Sequence, residues 1–399
     1  MYLLVTDAYP SDKKLYANMF VHQRVLGYAT QNIPIEVFVC VVSAVPESQY
    51  TFEEVNVTVG CPSALQHRVE HGDYRKILVH FISDAMMQAF QRASTCAPMI
   101  IWIHGHEGMS WMRRWFFFDP NGLLRRDKQR DSSLKNQPQQ PTSNGAPQKN
   151  LRYYATKLAG QFLHLKKLRR FLLANQDRIT LVFVSNWVRR IVESDVGVSL
   201  KSTYVIHNPI NTEKYAYVTK NAEQRFKLLS IRPFTNRKYA NDITVHAIKL
   251  LAKKEYFNQL DIRIVGDGPL FDSLIAPLRA YPNLQLEKRF LNQAEMVEQY
   301  REYGVFLCPT RMDTQGVSMC EAMASGLVCI SSENSAIPEF LPDEAGIRTH
   351  SAIEIAKAID FLVNNPAKYD ILSMNSALFI RGKCSHTLIS QQESGLILK

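Results

Sequence analysis

The apolar positions fall in short continuous runs bounded by turn residues, and these alternate with stretches of helical period. Tyr2-Leu3-Leu4-Val5-Thr6 reads as a buried strand, followed by the turn Asp7-Ala8-Tyr9-Pro10 and a helix from about Met19 to Ala29. Ile35 to Val42 is a second strand, and a strand–loop–helix–strand opening starts a parallel α/β sheet. Further strands are expected at Val55 to Val59, Ile77 to Phe81, Met99 to Ile103 and Thr180 to Ser185. The rhythm then restarts with strands at Lys227 to Ile231, Asp261 to Val265 and Val305 to Cys308, with helices between them. Between the two halves, Pro209 ends the extended run from Tyr204 and marks a domain boundary.

The densest chemistry lies in Pro309 to Phe340. Val317 to Ala324 reads as a helix, Gly326 takes the C′ position, and Leu327 to Ile330 is a buried strand. Ser318 and Glu321 have capping-box spacing, which puts the helix N-terminus at Gly316 to Ser318. Backbone N–H groups and the positive end of a helix dipole thus sit beside two carboxylates, Asp313 and Glu321. The N–H groups suit a phosphate and a carboxylate suits a vicinal diol, so together they suit a nucleotide sugar. Taken alone, Ser318-x-x-Glu321 reads as no more than a cap.

At 399 residues the chain is long enough for two full cores, and 46% apolar with 21% charged residues is a globular balance. No apolar run reaches the length of a spanning helix. The first ten residues are too short and polar for a signal peptide, so the protein is expected in the cytoplasm. Seven cysteines show no C-x-x-C pair and no metal-like spacing with histidine, and read as reduced, mostly buried thiols. The net charge of +10 is concentrated: Arg113 to Arg170 holds 14 Lys and Arg against three Asp. Its centre, about 119–150, is a Gln-, Pro- and Ser-rich stretch that reads as a flexible insertion. Trp115-Phe116-Phe117-Phe118 precedes it, and a basic helix follows with Leu158, Phe162, Leu165 and Leu168 at helical spacing.

A departing nucleoside diphosphate can be stabilised by a metal on a D-x-D pair, or by fixed cations and helix N-termini. None of the 17 aspartates stands two residues from another, so no metal site is expected. Arg232 and Lys238, after the strand at 227–231, can supply the cations, and Arg237 competes with Lys238. Gly266-Asp267-Gly268-Pro269 is a turn without the third glycine of a dinucleotide fingerprint.

Asp313, seven residues, then Glu321-Ala-Met-Ala-x-Gly resembles the E-x7-E signature of the family-four retaining glycosyltransferases, of the bacterial group 1 polysaccharide type. Asp313 is one methylene shorter than the usual Glu, and Val328 replaces the usual strand-opening Pro. Other segments follow in the family's order: YP with Asn18-Met19-Phe20-Val21, where Asn18 replaces a glycine near the donor phosphates; His104-Gly105; Ser185-Asn186; the hinge V-I-x-N-P; and G-x-G-P. The resemblance implies an α/β protein of two Rossmann-like parallel-sheet domains facing a cleft (GT-B). It places an acceptor-side domain at 1–206, a nucleotide-sugar domain at 207–380, and a tail at 381–399 packing back on the first domain.

It also implies roles. His104, Asp313, Arg232 and Lys238 would be catalytic. Asn18, Gly266, Gly268, Phe290, Gly316, Val317, Ser318 and Glu321 would line the donor site. His106 has no assigned role. The donor would be a UDP- or GDP-sugar with no other cofactor, and the acceptor a saccharide or lipid-linked saccharide in bacterial surface polysaccharide synthesis. The basic region then either lies on an anionic membrane, on the inner face of the cytoplasmic membrane, or packs on its own domain. Two other classes compete: a basic nucleic-acid-binding protein, which lacks a binding motif here, and a non-catalytic relative acting as a partner protein.

Overall fold

The computed structural model describes residues 1–12, 14, 17–43, 46–117 and 151–399. The expected insertion at about 119–150 lies outside them, as does Phe118. Among the described residues the first half builds eight strands: β1 (Tyr2–Thr6), β2 (Ile35–Cys40), β3 (Ser48–Phe52), β4 (Val55–Gly60), β5 (Lys76–His80), β6 (Met99–Ile103), β7 (Ile179–Phe183) and β8 (Thr203–Val205). Their order is β3-β4-β2-β1-β5-β6-β7-β8, and every pair except β3–β4 is parallel. The helices between them are α1 (Met19–Ala29), α2 (Pro62–His71), α3 (Asp84–Arg92), α4 (Leu151–Ala174) and α5 (Asn186–Val192).

The second half is an all-parallel sheet of β9 (Lys227–Ile231), β10 (Asp261–Val265), β11 (Leu284–Glu287), β12 (Val305–Leu307), β13 (Val328–Ser332) and β14 (Gly346–Thr349). Its order is β11-β10-β9-β12-β13-β14. Around it run α6 (Asn241–Leu251), α7 (Phe271–Ile275), α8 (Gln293–Glu302), α9 (Val317–Ala324), α10 (Ile337–Phe340), α11 (Ala352–Asn364), α12 (Pro366–Cys384) and α13 (His386–Leu398).

Strands with helices on both faces bury every side chain, which is why they read as continuous apolar runs. Each sheet accordingly has an apolar core on either side. The antiparallel β3–β4 hairpin was not legible. Its turn is Glu53-Glu54, with φ of 42° and 68°, and carries none of the Gly or Asn that mark such turns. The capping box at the start of α9 does not form: Gly316, in the left-handed region at φ 77°, begins the helix without a side-chain cap.

The helical stripe on α4 divides. Leu165 and Leu168 are buried in the first core, whereas Leu158 and Phe162 are exposed. The last helix, α13, returns to the first half: Ile389, Leu396 and Ile397 join its core with Leu4 and Trp102.

Candidate active site

Parallel strands deliver their loops at one edge, and the residues singled out above lie just past the C-terminal ends of β6, β9, β10 and β12. Arg232 follows β9, tied by its own N–H to the Val265 carbonyl at 3.0 Å. Its side chain is 4% exposed. Nη1 donates to the Ser318 hydroxyl at 3.0 Å, and Nη2 stands 4.0 Å from Asp313 Oδ2. Nε and Nη2 are buried with no hydrogen-bond partner among the described residues. A buried guanidinium with unmatched donors is costly unless an anion joins it.

The Tyr239 ring brings the second cation alongside. Arg232 Cζ lies 5.1 Å and Lys238 Nζ 5.5 Å from its centroid. Arg237 is exposed, so Lys238 rather than Arg237 shares the ring with Arg232. Lys238 is also held through its backbone: its N–H donates to Asn236 Oδ1 at 2.9 Å, and its carbonyl accepts from Arg311 N–H at 2.8 Å and Thr310 Oγ1 at 3.1 Å.

Gly266 and Gly268 sit against this loop. A Cβ on Gly266 would lie 1.9 Å from the Arg232 carbonyl oxygen. One on Gly268, at φ 145°, would lie 2.3 Å from the Phe234 carbonyl carbon. The absence of side chains here lets the Arg232 loop pass, which is a packing reason for glycine at both positions.

Asp313 holds the turn that leads into α9. Its Oδ1 accepts the Gly316 N–H at 2.8 Å and, more weakly, the Gln315 N–H at 3.4 Å. Ser318 instead accepts from Arg232, and Glu321 hydrogen-bonds Tyr215. Burial pushes the Glu321 carboxyl up to about 8, against the lowering effects of Tyr215 and Lys214. Val317 is half-buried on the core behind α9. Phe290 is 51% exposed on the loop after β11, next to a buried Leu291.

On the opposite edge, His104 is buried at the end of β6. Its Nε2 lies 3.0 Å from His80 Nδ1, and burial holds both imidazoles well below their usual range, hence neutral. Its Nδ1 has no hydrogen-bond partner among the described residues. The ring is stacked by Phe81 at 4.4 Å and flanked by Phe20 at 4.9 Å. Phe81 adopts φ 56°, a strained conformation for an aromatic residue. His106 is exposed, with Nδ1 3.4 Å from Glu107. Asn18 takes the left-handed conformation, at φ 51°, and its amide donates to Asp7 Oδ1 at 2.9 Å and the Ala8 carbonyl at 3.1 Å.

The two edges meet. A Cβ on Gly105, next to His104, would lie 2.6 Å from Thr314 Cγ2, next to Asp313. Glu339 of α10 accepts the N–H groups of Asn186 and Trp187 at the start of α5, at 2.9 and 2.5 Å. Tyr239, Tyr215, His80 and Gln315 were not singled out from sequence. Tyr and Gln at these positions carry no motif, and only the folded loops bring them to the charged groups.

Residues 225–365 match the family model described as glycosyl transferases group 1. No curated protein matches the chain. Among solved structures, sucrose-phosphate synthase from Thermosynechococcus elongatus superposes with a TM-score of 0.68 at 13% identity, over 99% of this chain and 98% of that one. HepE of Anabaena, solved with UDP-glucose, gives a TM-score of 0.66 at 12% identity over 100% and 99%. A glycosyltransferase from Rickettsia africae gives 0.61 at 12% over 100% and 98%. At these identities the likeness establishes the fold, which is GT-B.

Proposed function

We propose, from the match of residues 225–365 to the group 1 glycosyl transferase model within a GT-B fold, a retaining, metal-independent transfer of a sugar from a UDP- or GDP-sugar to a saccharide or lipid-linked saccharide acceptor, in bacterial surface polysaccharide synthesis. One observation carries the reading. Arg232 is a buried cation whose Nε and Nη2 have no hydrogen-bond partner among the described residues, beside Lys238 and the N-terminus of α9. A diphosphate fits those donors in charge and in hydrogen-bonding capacity.

In this reading Arg232 and Lys238 neutralise the departing diphosphate, and Val317 and Ser318 offer backbone N–H groups to it, the Gly316 N–H being held by Asp313. Glu321 holds the ribose diol, with Gly266, Gly268 and Phe290 bordering the nucleotide. Asp313 faces the transferred sugar with His104 across the cleft. Metal independence rests on the missing D-x-D pair, since two fixed cations then carry the leaving-group charge.

A thermal-shift screen of UDP-, GDP- and ADP-sugars tests the reading. A donor at 100 times its dissociation constant adds about 2.7 kcal/mol of stability. Arg232→Ala should lower turnover roughly 10²-fold or more. Retained turnover in that variant, or loss of wild-type activity in EDTA, contradicts the proposal.

Membrane association of the first half belongs to the same reading. Leu158, Phe162 and Leu163 are exposed on α4, with Lys166 Nζ 4.4 Å from the Phe162 ring centroid. Other basic residues there serve the fold: Lys167 pairs with Asp84, Arg169 donates to the Val196 carbonyl and Arg113 pairs with Asp195. Flotation on anionic liposomes should therefore depend on Phe162, Lys166 and Arg170. A Phe162→Ser/Lys166→Ala/Arg170→Ala variant that floats like wild type rules it out.

A further inference from the structure

His104 stands on the first half of the molecule and Asp313 on the second, so their separation depends on how the halves are held. A buried polar chain joins the two loops. Gln315, two residues after Asp313, is fully buried. Its Oε1 accepts the Asn208 N–H at 2.6 Å and its Nε2 donates to the Asn208 carbonyl at 2.9 Å. One side-chain amide thus grips both backbone groups of a single residue in the segment between the sheets.

The Asn208 side chain continues the line. Its Oδ1 accepts from Arg24 Nη1 at 3.1 Å, and Arg24 Nη2 donates to the His207 carbonyl at 3.3 Å. Arg24 Nε donates to Glu393 Oε1 at 2.8 Å, both side chains being almost wholly buried. Glu393, on α13, also accepts from Trp102 Nε1 at 2.9 Å and from the Tyr28 hydroxyl at 2.7 Å. Trp102 stacks on His80 at 4.7 Å, and His80 meets His104 at 3.0 Å.

We propose that Gln315, Asn208, Arg24 and Glu393 form a strut that sets the Asp313 loop against the His104 loop, with Gln315 as its positioning residue. Apolar side chains of the same volume would give comparable stability, but would leave the angle between the halves loosely specified. Hydrogen bonds in a low-dielectric interior are strong and directional, and each of these groups is costly to leave unpaired. Gln315 lies inside the short loop from Asp313 to Gly316, so any slip at Asn208 is transmitted to the acid. The catalytic meaning of the strut rests on the function proposed above, whereas its mechanics do not.

Hydrogen exchange on the full chain tests the mechanics, using wild type, Gln315→Leu and Asn208→Ala. Gln315→Leu should lose protection about tenfold, the worth of one or two buried hydrogen bonds, in residues 100–107 as well as 206–210. The second sheet should keep its protection. Asn208→Ala leaves both Gln315 contacts to the backbone and removes only the side-chain contact to Arg24, whose bond to the His207 carbonyl remains, and it should reproduce part of the loss at 100–107. Loss confined to 206–210, or spread evenly over the chain, overturns the strut.

Titration with UDP and GDP supplies the second arm. Gln315→Leu should bind whichever nucleotide wild type binds with unchanged affinity. With the sugar nucleotide that wild type turns over, kcat should fall roughly 10²-fold at constant donor KM, as a misplaced group predicts. An unchanged kcat overturns the positioning role. Failure of wild type to bind either nucleotide removes the proposed function and leaves the exchange result to be judged on its own.

Discussion

Two demands meet on the Asp313 carboxylate: Oδ1 caps the loop at Gly316, and Oδ2 faces Arg232. Asp313→Asn keeps an oxygen for the cap and drops the charge, so it should fold like wild type and lose activity. Asp313→Ala should lose activity and also about 1 kcal/mol of stability, as lost caps do. Asp313→Glu should fail too, because the added methylene carries the oxygen past the Gly316 N–H. Equal stability of the Ala and Asn variants would show that the cap contributes nothing. Glu321 gives a pH test. Its carboxyl stays protonated to about 8 in the fold but ionises in the usual carboxylate range once unfolded. The native state then holds a proton that the unfolded chain has lost, so stability falls as pH rises across that window. Melting of the nucleotide-free protein should drop between about pH 5 and pH 8 in wild type, and drop less in Glu321→Gln.

At the scale of elements, the β9 and β10 loops behave as one unit. Gly268, at φ 145° with the Phe234 carbonyl carbon 2.3 Å from where a Cβ would stand, lets them close on each other. Gly268→Ala should cost about 1–3 kcal/mol in backbone strain and weaken nucleotide binding by moving Arg232. Gly382→Ala is the control: it lies in α12 with nothing within 4 Å of the added Cβ. It should stabilise by up to about 1 kcal/mol. Equal melting temperatures of the two variants would show that the contact at Gly268 is readily relieved. On α4, helical spacing found the buried Leu165 and Leu168 but gave no sign that Leu158 and Phe162 of the same stripe are exposed.

Across the whole molecule, α13 matters most for its position. It ends the chain yet packs on α1, where Glu393 neutralises Arg24 and Lys76 Nζ caps the helix through the Leu396 and Ile397 carbonyls at 3.2 and 2.9 Å. Removing 386–399 would take Ile389 and Ile397 out of the core they share with Leu4 and Trp102, and leave Arg24 buried without its partner. The first half should lose about 3–5 kcal/mol, the cost of breaking a buried pair. Calorimetry should show that loss in the transition of the first half; an unchanged melt would make α13 dispensable.

The sequence by itself determined the local plan. Continuous apolar runs placed most of the strands, because a sheet covered on both faces tolerates few polar side chains. Helical spacing placed α1 and α9, and Gly326 was legible as the C′ residue of α9 because glycine takes φ above zero without strain. The order of motifs pointed to the GT-B fold, and with it to Arg232, Lys238, Asp313 and Glu321. Tertiary structure decided what each of those groups touches. Ser318 and Glu321 had the spacing of a cap, yet Ser318 went to Arg232 and Glu321 to Tyr215, since a distant cation and a distant phenol compete for the same oxygens. The polar chain from Gln315 to Glu393 spans nearly the full sequence, Arg24 and Glu393 being 369 residues apart. Contacts of that range depend on how two sheets and a returning helix are placed, and no local pattern of residues encodes that placement.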